Sequence, residues 1–154
     1  MTIEYLQKFE ENKDKFKYVK TYPTQGCSLN EIKVLEEKLN NGNPFPKVFR
    51  EFLFIGGEVS CLPFNMKFSW MERETKDCLA GLKNRGLKID RPIVVFNQLD
   101  SEQYSFIYLD EGDDPQPWNC FAVEDEETIW KSPFNTFKDL IEVSVDLALE
   151  GRGF

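Results

Sequence analysis

Eight carboxylates fall between Tyr108 and Trp130, in YLDEGDDPQPWNCFAVEDEETIW, and no lysine or arginine lies among them. They are Asp110, Glu111, Asp113, Asp114, Glu124, Asp125, Glu126 and Glu127. Carboxylates at this density suit three kinds of chemistry: cation coordination, acid/base catalysis, or attraction of a basic partner. A fourth reading is that these are solvated turns, since charge runs are usually exposed faces.

The spacing bears on each. An EF-hand loop needs ligands at its first, third, fifth and twelfth positions and glycine at the sixth. Counted from Asp110, the third residue is Gly112 and the sixth is Pro115, so that template fails. A glycosidase needs two carboxyl groups roughly 5–10 Å apart in a cleft, one with its pKa raised by burial. Nothing in the stretch predicts a buried pair. A docking surface fits better, because concentrated negative charge steers a basic partner and speeds its association. On that reading the eight acids form the partner-binding surface, with Trp118 as its aromatic anchor. Against it stands the plainer expectation that the turns are solvated and Trp118 covers a sheet edge.

The rest of the composition narrows the field. The chain has 154 residues and no histidine, which removes Ser-His and Cys-His catalysis and imidazole zinc sites. The net charge is −8, and outside the quoted stretch acids and bases are equal in number, 19 of each. Such a surface repels the phosphates of DNA and RNA. Cys27, Cys61, Cys78 and Cys120 form no C-x-x-C pair, so buried free thiols are expected. No stretch approaches the ~20 apolar residues of a membrane span. The first residues lack a basic segment followed by an apolar run, so a cytoplasmic location is expected. The length fits one domain, residues 1–154.

The elements that position these residues follow from periodicity. Ile3, Leu6, Phe9 and Phe16 predict a helix over 2–19 with Thr2 as its cap. Ser28 and Glu31 form an S-x-x-E capping box, followed by the stripe Leu29, Ile32, Leu35 and Leu39. Pro46 suits the first turn of a second helix that carries Val48, Phe49, Phe52 and Leu53 inward and Phe54 off the stripe. Gly56 and Gly57 suit a left-handed cap, and no Lys-Ser/Thr follows to suggest a phosphate loop. EVSCLPF and KFSW read as strand, and MERETKDCLAGLKNRG as helix. PIVVFN, SFIYLD, CFAVE and TIWKS then predict an antiparallel meander. A last helix starts at Asn135 or Thr136 and ends at Gly151, with Trp130 expected in the core beside it. The expected class is α+β: an antiparallel sheet packed by N-terminal helices and a C-terminal helix.

The order of these motifs resembles the SUKH superfamily, the Smi/Knr-related proteins. The matching residues are Glu36 and Leu39 for E-x-x-L, then Pro46, Phe49, Phe52 and Leu53, then the pair Gly56-Gly57. Asp110 and Gly112 match a strand-end aspartate and turn glycine, and Phe137 and Leu140 match an aromatic-led last helix. The resemblance covers residues 28–150. It implies a non-enzymatic binding role without cofactor or metal: bacterial members are mostly immunity proteins that neutralise a toxin domain, often a nuclease. A nuclease site is basic because it holds phosphates, and carboxylates could take their place. The expected partner is thus a basic toxin protein. The alternatives are a regulatory scaffold of the cell-wall type or, from the enzyme class, a carboxylate-based hydrolase.

Overall fold

The computed structural model describes residues 1–100, 102–122 and 128–152. Its elements run α1 (Gln7–Asn12), α2 (Leu29–Leu39), α3 (Lys47–Gly56), α4 (Phe68–Asn84), β1 (Ile93–Leu99), β2 (Gln103–Tyr108), β3 (Pro117–Phe121), β4 (Ile129–Lys131) and α5 (Phe137–Glu150). The class is α+β in a single domain, with the four strands in meander order β1-β2-β3-β4 and every neighbouring pair antiparallel. No helix of the described residues is long and apolar enough to cross a membrane.

Where the signal is local, the elements stand as the sequence predicts. Ser28 Oγ accepts the Glu31 N–H while the Glu31 carboxylate accepts the Ser28 N–H, which closes the capping box at the start of α2. Thr136 caps α5 by accepting the Asp139 N–H, and Gly151 ends it at φ 69°. All four cysteines are buried and free.

The N-terminal helix is much shorter than 2–19. Thr2 is not its cap: α1 starts after Leu6, and no side chain caps it. Instead the buried Glu51 carboxylate accepts the N–H groups of Glu4, Tyr5 and Leu6 at 2.8–2.9 Å. Those three donors are thereby satisfied by a distant side chain rather than by a helix turn. Leu6, Phe9 and Phe16 are still core residues, so the apolar spacing served packing, not one continuous helix.

Further expectations are corrected. EVSCLPF forms no strand, only an isolated bridge between Gln25 and Val59, and KFSW contains the first turn of α4. Pro46 sits at the N-cap of α3 rather than inside its first turn. Gly57 does not take a left-handed cap: its φ is −68°. A Cβ there would lie 2.8 Å from the Leu53 backbone, so close approach requires the glycine. Within α2 the inward stripe is narrower than its four leucine and isoleucine positions, because Leu29 is exposed and buried Glu36 joins Ile32 and Leu35.

An aromatic knot joins the layers. Phe137 of α5 meets Phe49 and Phe52 of α3 at 5.5 and 5.6 Å and Phe96 of β1 at 5.0 Å, all edge to face. Phe54 lies off that stripe and is partly buried against the core. Residues opposite each other across an antiparallel pair share a face. The row Tyr104–Cys120–Ile129 faces α4, since Cys120 Sγ lies 3.5 Å from Cys78 Sγ. The next row, Asn97–Ser105–Asn119–Trp130, therefore faces the other way and is half-buried. Trp130 is thus not in the core. It packs on Phe121 at 5.0 Å.

Candidate functional site

The acidic turn leaves β2 and enters β3, with Gly112 at φ 84°. Its own sequence holds no base, but the fold brings bases to it. Arg91 grips Asp110 with Nε at 3.1 Å from both carboxylate oxygens and Nη2 at 2.6 Å from Oδ1. The same guanidinium lies 3.1 Å from Glu111. This fork holds the Asp110 carboxyl below its ordinary range, and the paired carboxylates raise Arg91 in return. Asp113 faces Lys47 at 3.3 Å, which raises the lysine.

Asp113 and Asp114 also tie the turn to two helix starts. The Asp113 carbonyl accepts the Val48 N–H in the first turn of α3. The Asp114 carboxylate accepts the Lys138 N–H, and the Pro115 carbonyl accepts the Phe137 N–H, both in the first turn of α5. Helix N-termini favour negative charge and leave N–H groups to satisfy. Burial pushes the Asp114 carboxyl up, partly opposed by the Lys138 N–H and the Thr136 hydroxyl.

Trp118 is half-buried. Its ring meets Tyr108 edge to face at 5.6 Å, Lys131 lies 5.4 Å above it, and Arg91 stacks 3.9 Å over Tyr108. Its indole Nε1 is enclosed with no acceptor among the described residues. The ring is packed into the sheet, on an inner strand rather than at an edge. Glu124, Asp125, Glu126 and Glu127 lie outside the described residues. Among the described residues, no group of three His, Cys, Asp or Glu is placed to hold a metal ion.

A second region was not legible as a site. Trp70, in the first turn of α4, is 42% exposed, Val34 on α2 44% and Tyr22 49%. The turn that carries Trp70 forms a ridge between two depressions. One, of about 250 Å³, lies between α2 and α4 and is lined by Val34, Leu35, Lys38, Phe68 and Glu72. The other, of about 330 Å³, is lined by Tyr22, Leu62, Phe64, Met66 and Trp70.

The ridge has a firm base. The Phe68 N–H donates to the Gly57 carbonyl at 2.8 Å, and Glu58 accepts from both the N–H and the hydroxyl of Ser69. Lys67 and Arg73 lie 5.5 and 5.8 Å from the Trp70 ring centre. Glu72 is paired with both Lys38 and Lys76 at 2.6 Å, which lowers its pKa. The surface offers apolar contact area within a rim of charges that already have partners.

The helical phase held the missed signal. With the helix starting at Phe68, the residues Met71, Thr75, Cys78 and Leu82 turn inward. Trp70 then shares the outer, charged side with Arg73, where a large aromatic has no packing role. Val34 stands alone in the same way between Asn30 and Lys38 on the outer side of α2. Comparisons with known protein families, with curated proteins and with solved structures return no match.

Proposed function

We propose that this chain is a protein-binding module of the SUKH type that neutralises a basic toxin domain in the cytoplasm by occupying it, rather than an enzyme. One observation carries the binding reading: the exposed Trp70 lining one depression, with a second depression bordered by Phe68 and Ser69 of the same helix turn. Tryptophan beside pockets is the usual form of a binding hot spot, because a large rigid ring buries much area at little entropic cost. The net charge of −8 adds attraction for a basic partner over distance. The excess of acid carried by 124–127 supplies that field, since the acids of the turn at 110–114 already face Arg91, Lys47 and the start of α5, while apolar contact at Trp70 supplies affinity. The immunity role and the superfamily placement rest on the order of the capping box, the Pro46 helix, the glycine pair and the Phe137 helix.

The test has two stages. Tagged chain is used to capture its partner from the native organism under rising salt, alongside the Trp70→Ala variant. The captured polypeptide is then expressed alone and together with this chain in a heterologous host. The expected result is one basic polypeptide, near one-to-one, that is toxic alone and harmless with the wild-type chain, with relief lost for Trp70→Ala. A set of non-toxic regulatory proteins would replace the immunity reading with the scaffold one. Capture of nothing would overturn both.

A further inference from the structure

We infer that Cys78 and Cys120 are a latent disulfide pair, which a peroxide-class oxidant closes to staple α4 onto β3. The inference is independent of the proposed function. The two Sγ atoms are 3.5 Å apart and both residues are fully buried. An S–S bond needs about 2.05 Å, so each sulfur has less than about 1 Å to move.

The approach of helix to strand is built into the sequence of α4. At Gly81, a Cβ would sit 2.8 Å from the Ala122 Cβ and 2.9 Å from its carbonyl oxygen. Only glycine lets the helix come this near the end of β3. One turn before Cys78, Thr75 Oγ1 accepts the buried Val95 N–H at 3.0 Å, which pins the same side of the helix to the sheet. Thr75, Cys78 and Gly81 recur every three residues, so one line along α4 touches the sheet through a hydrogen bond, a thiol and a bare backbone. The close Cα approach that disulfides require is the kind of approach this line makes possible.

The chemistry balances with hydrogen peroxide as oxidant. One cysteine sulfur attacks a peroxide oxygen, breaking the O–O bond, to give a sulfenic acid and one water. The second sulfur attacks the sulfenic sulfur, forming S–S and releasing the second water. Two thiols and one peroxide thus give one disulfide and two waters, with the sulfurs oxidised and the peroxide reduced. Contact with Cys120 and burial push the Cys78 thiol up, so it is a slow nucleophile in the closed fold and reacts when α4 opens locally.

The experiment treats the full-length reduced protein with hydrogen peroxide, quenches it, and maps cysteine states by non-reducing digestion and mass spectrometry. The expected product is two hydrogen atoms lighter and carries a 78–120 cross-link. Its melting temperature should rise by roughly 5 °C or more, because the link constrains the unfolded chain. A variant with Cys27→Ala and Cys61→Ala should still form the link. The proposal is overturned if the native protein keeps both thiols free at a peroxide dose that cross-links the urea-unfolded chain. It is equally overturned if Cys78 and Cys120 are instead driven singly to sulfinic acid.

Discussion

The acidic turn at 110–114 and the aromatic ridge at Trp70 are opposites in how they are built. The turn is contiguous in sequence and conspicuous, yet its charges are taken up by Arg91, Lys47 and the start of α5. The ridge is assembled from Tyr22, Val34, Phe68 and Trp70, which are scattered over nearly 50 residues, and its apolar surface is left open. A run of like charge creates a need for partners, and a fold can meet that need internally. An exposed tryptophan on a helix surface has no such internal outlet. Changes in the turn should therefore be felt mainly in stability, and changes on the ridge mainly in binding.

The sharpest separation is expected from Trp70→Ala. It should weaken the captured partner by about 2–4 kcal/mol, read by titration calorimetry, while urea unfolding moves by less than ~0.5 kcal/mol. Equal losses in both measurements would erase the contrast between the regions. The reverse profile is expected for Asp114→Ala. Removing the acceptor of the Lys138 N–H should cost about 1 kcal/mol and lower the melting temperature by roughly 2–4 °C, with unchanged partner affinity once folded.

Arg91→Ala should cost less, about 0.5–1 kcal/mol near neutral pH, because the guanidinium and both carboxylates it pairs with are partly exposed and screened. The Asp110 carboxyl is held low in the fold, so its contribution is present above its unfolded range and lost as pH falls through the folded value. The gap between wild type and variant should therefore narrow in acid. Only the stacking of Arg91 on Tyr108 persists there.

Asp114→Asn should give the smallest effect and the opposite sign. This carboxyl is held high in the fold, so its favourable contribution is full below the unfolded value and is lost as pH rises through the folded one. Asparagine keeps an acceptor for Lys138 without an ionisable group. Relative to wild type, the variant should gain stability from pH 3 to pH 7, by less than ~1 kcal/mol, in urea titrations at the two pH values. A relative loss over that range would mean that the two hydrogen bonds outweigh burial.

The contrast between the regions also explains what was legible. The capping box at Ser28 and Glu31 and the Thr136 cap were readable because each depends on residues within a few positions of one another, and the meander because its strands follow one another directly in the chain. The helix expected over 2–19 failed because its N–H groups found Glu51, more than 40 residues away. KFSW looked like strand because its aromatics favour strands, but the Gly57 carbonyl and Glu58 seat it as a helix start. Trp118 and Trp130 exchanged standing for a similar reason. Register alone decides that Trp118 packs beside Tyr108 on the α4 side while Trp130 faces outward with Asn119.

By itself, the sequence determined the class of the fold, the meander, the capped helices, the buried thiols and the sign of its field. Each of these follows from local periodicity, caps and composition, which need no knowledge of distant neighbours. Tertiary structure decided which charges are occupied and which aromatics are exposed. Those outcomes are pairings between distant residues: Arg91 with Asp110, Glu51 with the N-terminal arm, Gly81 with Ala122. A side chain's freedom to bind a partner depends on what the fold has already placed against it, and that is a property of contacts rather than of position in the chain.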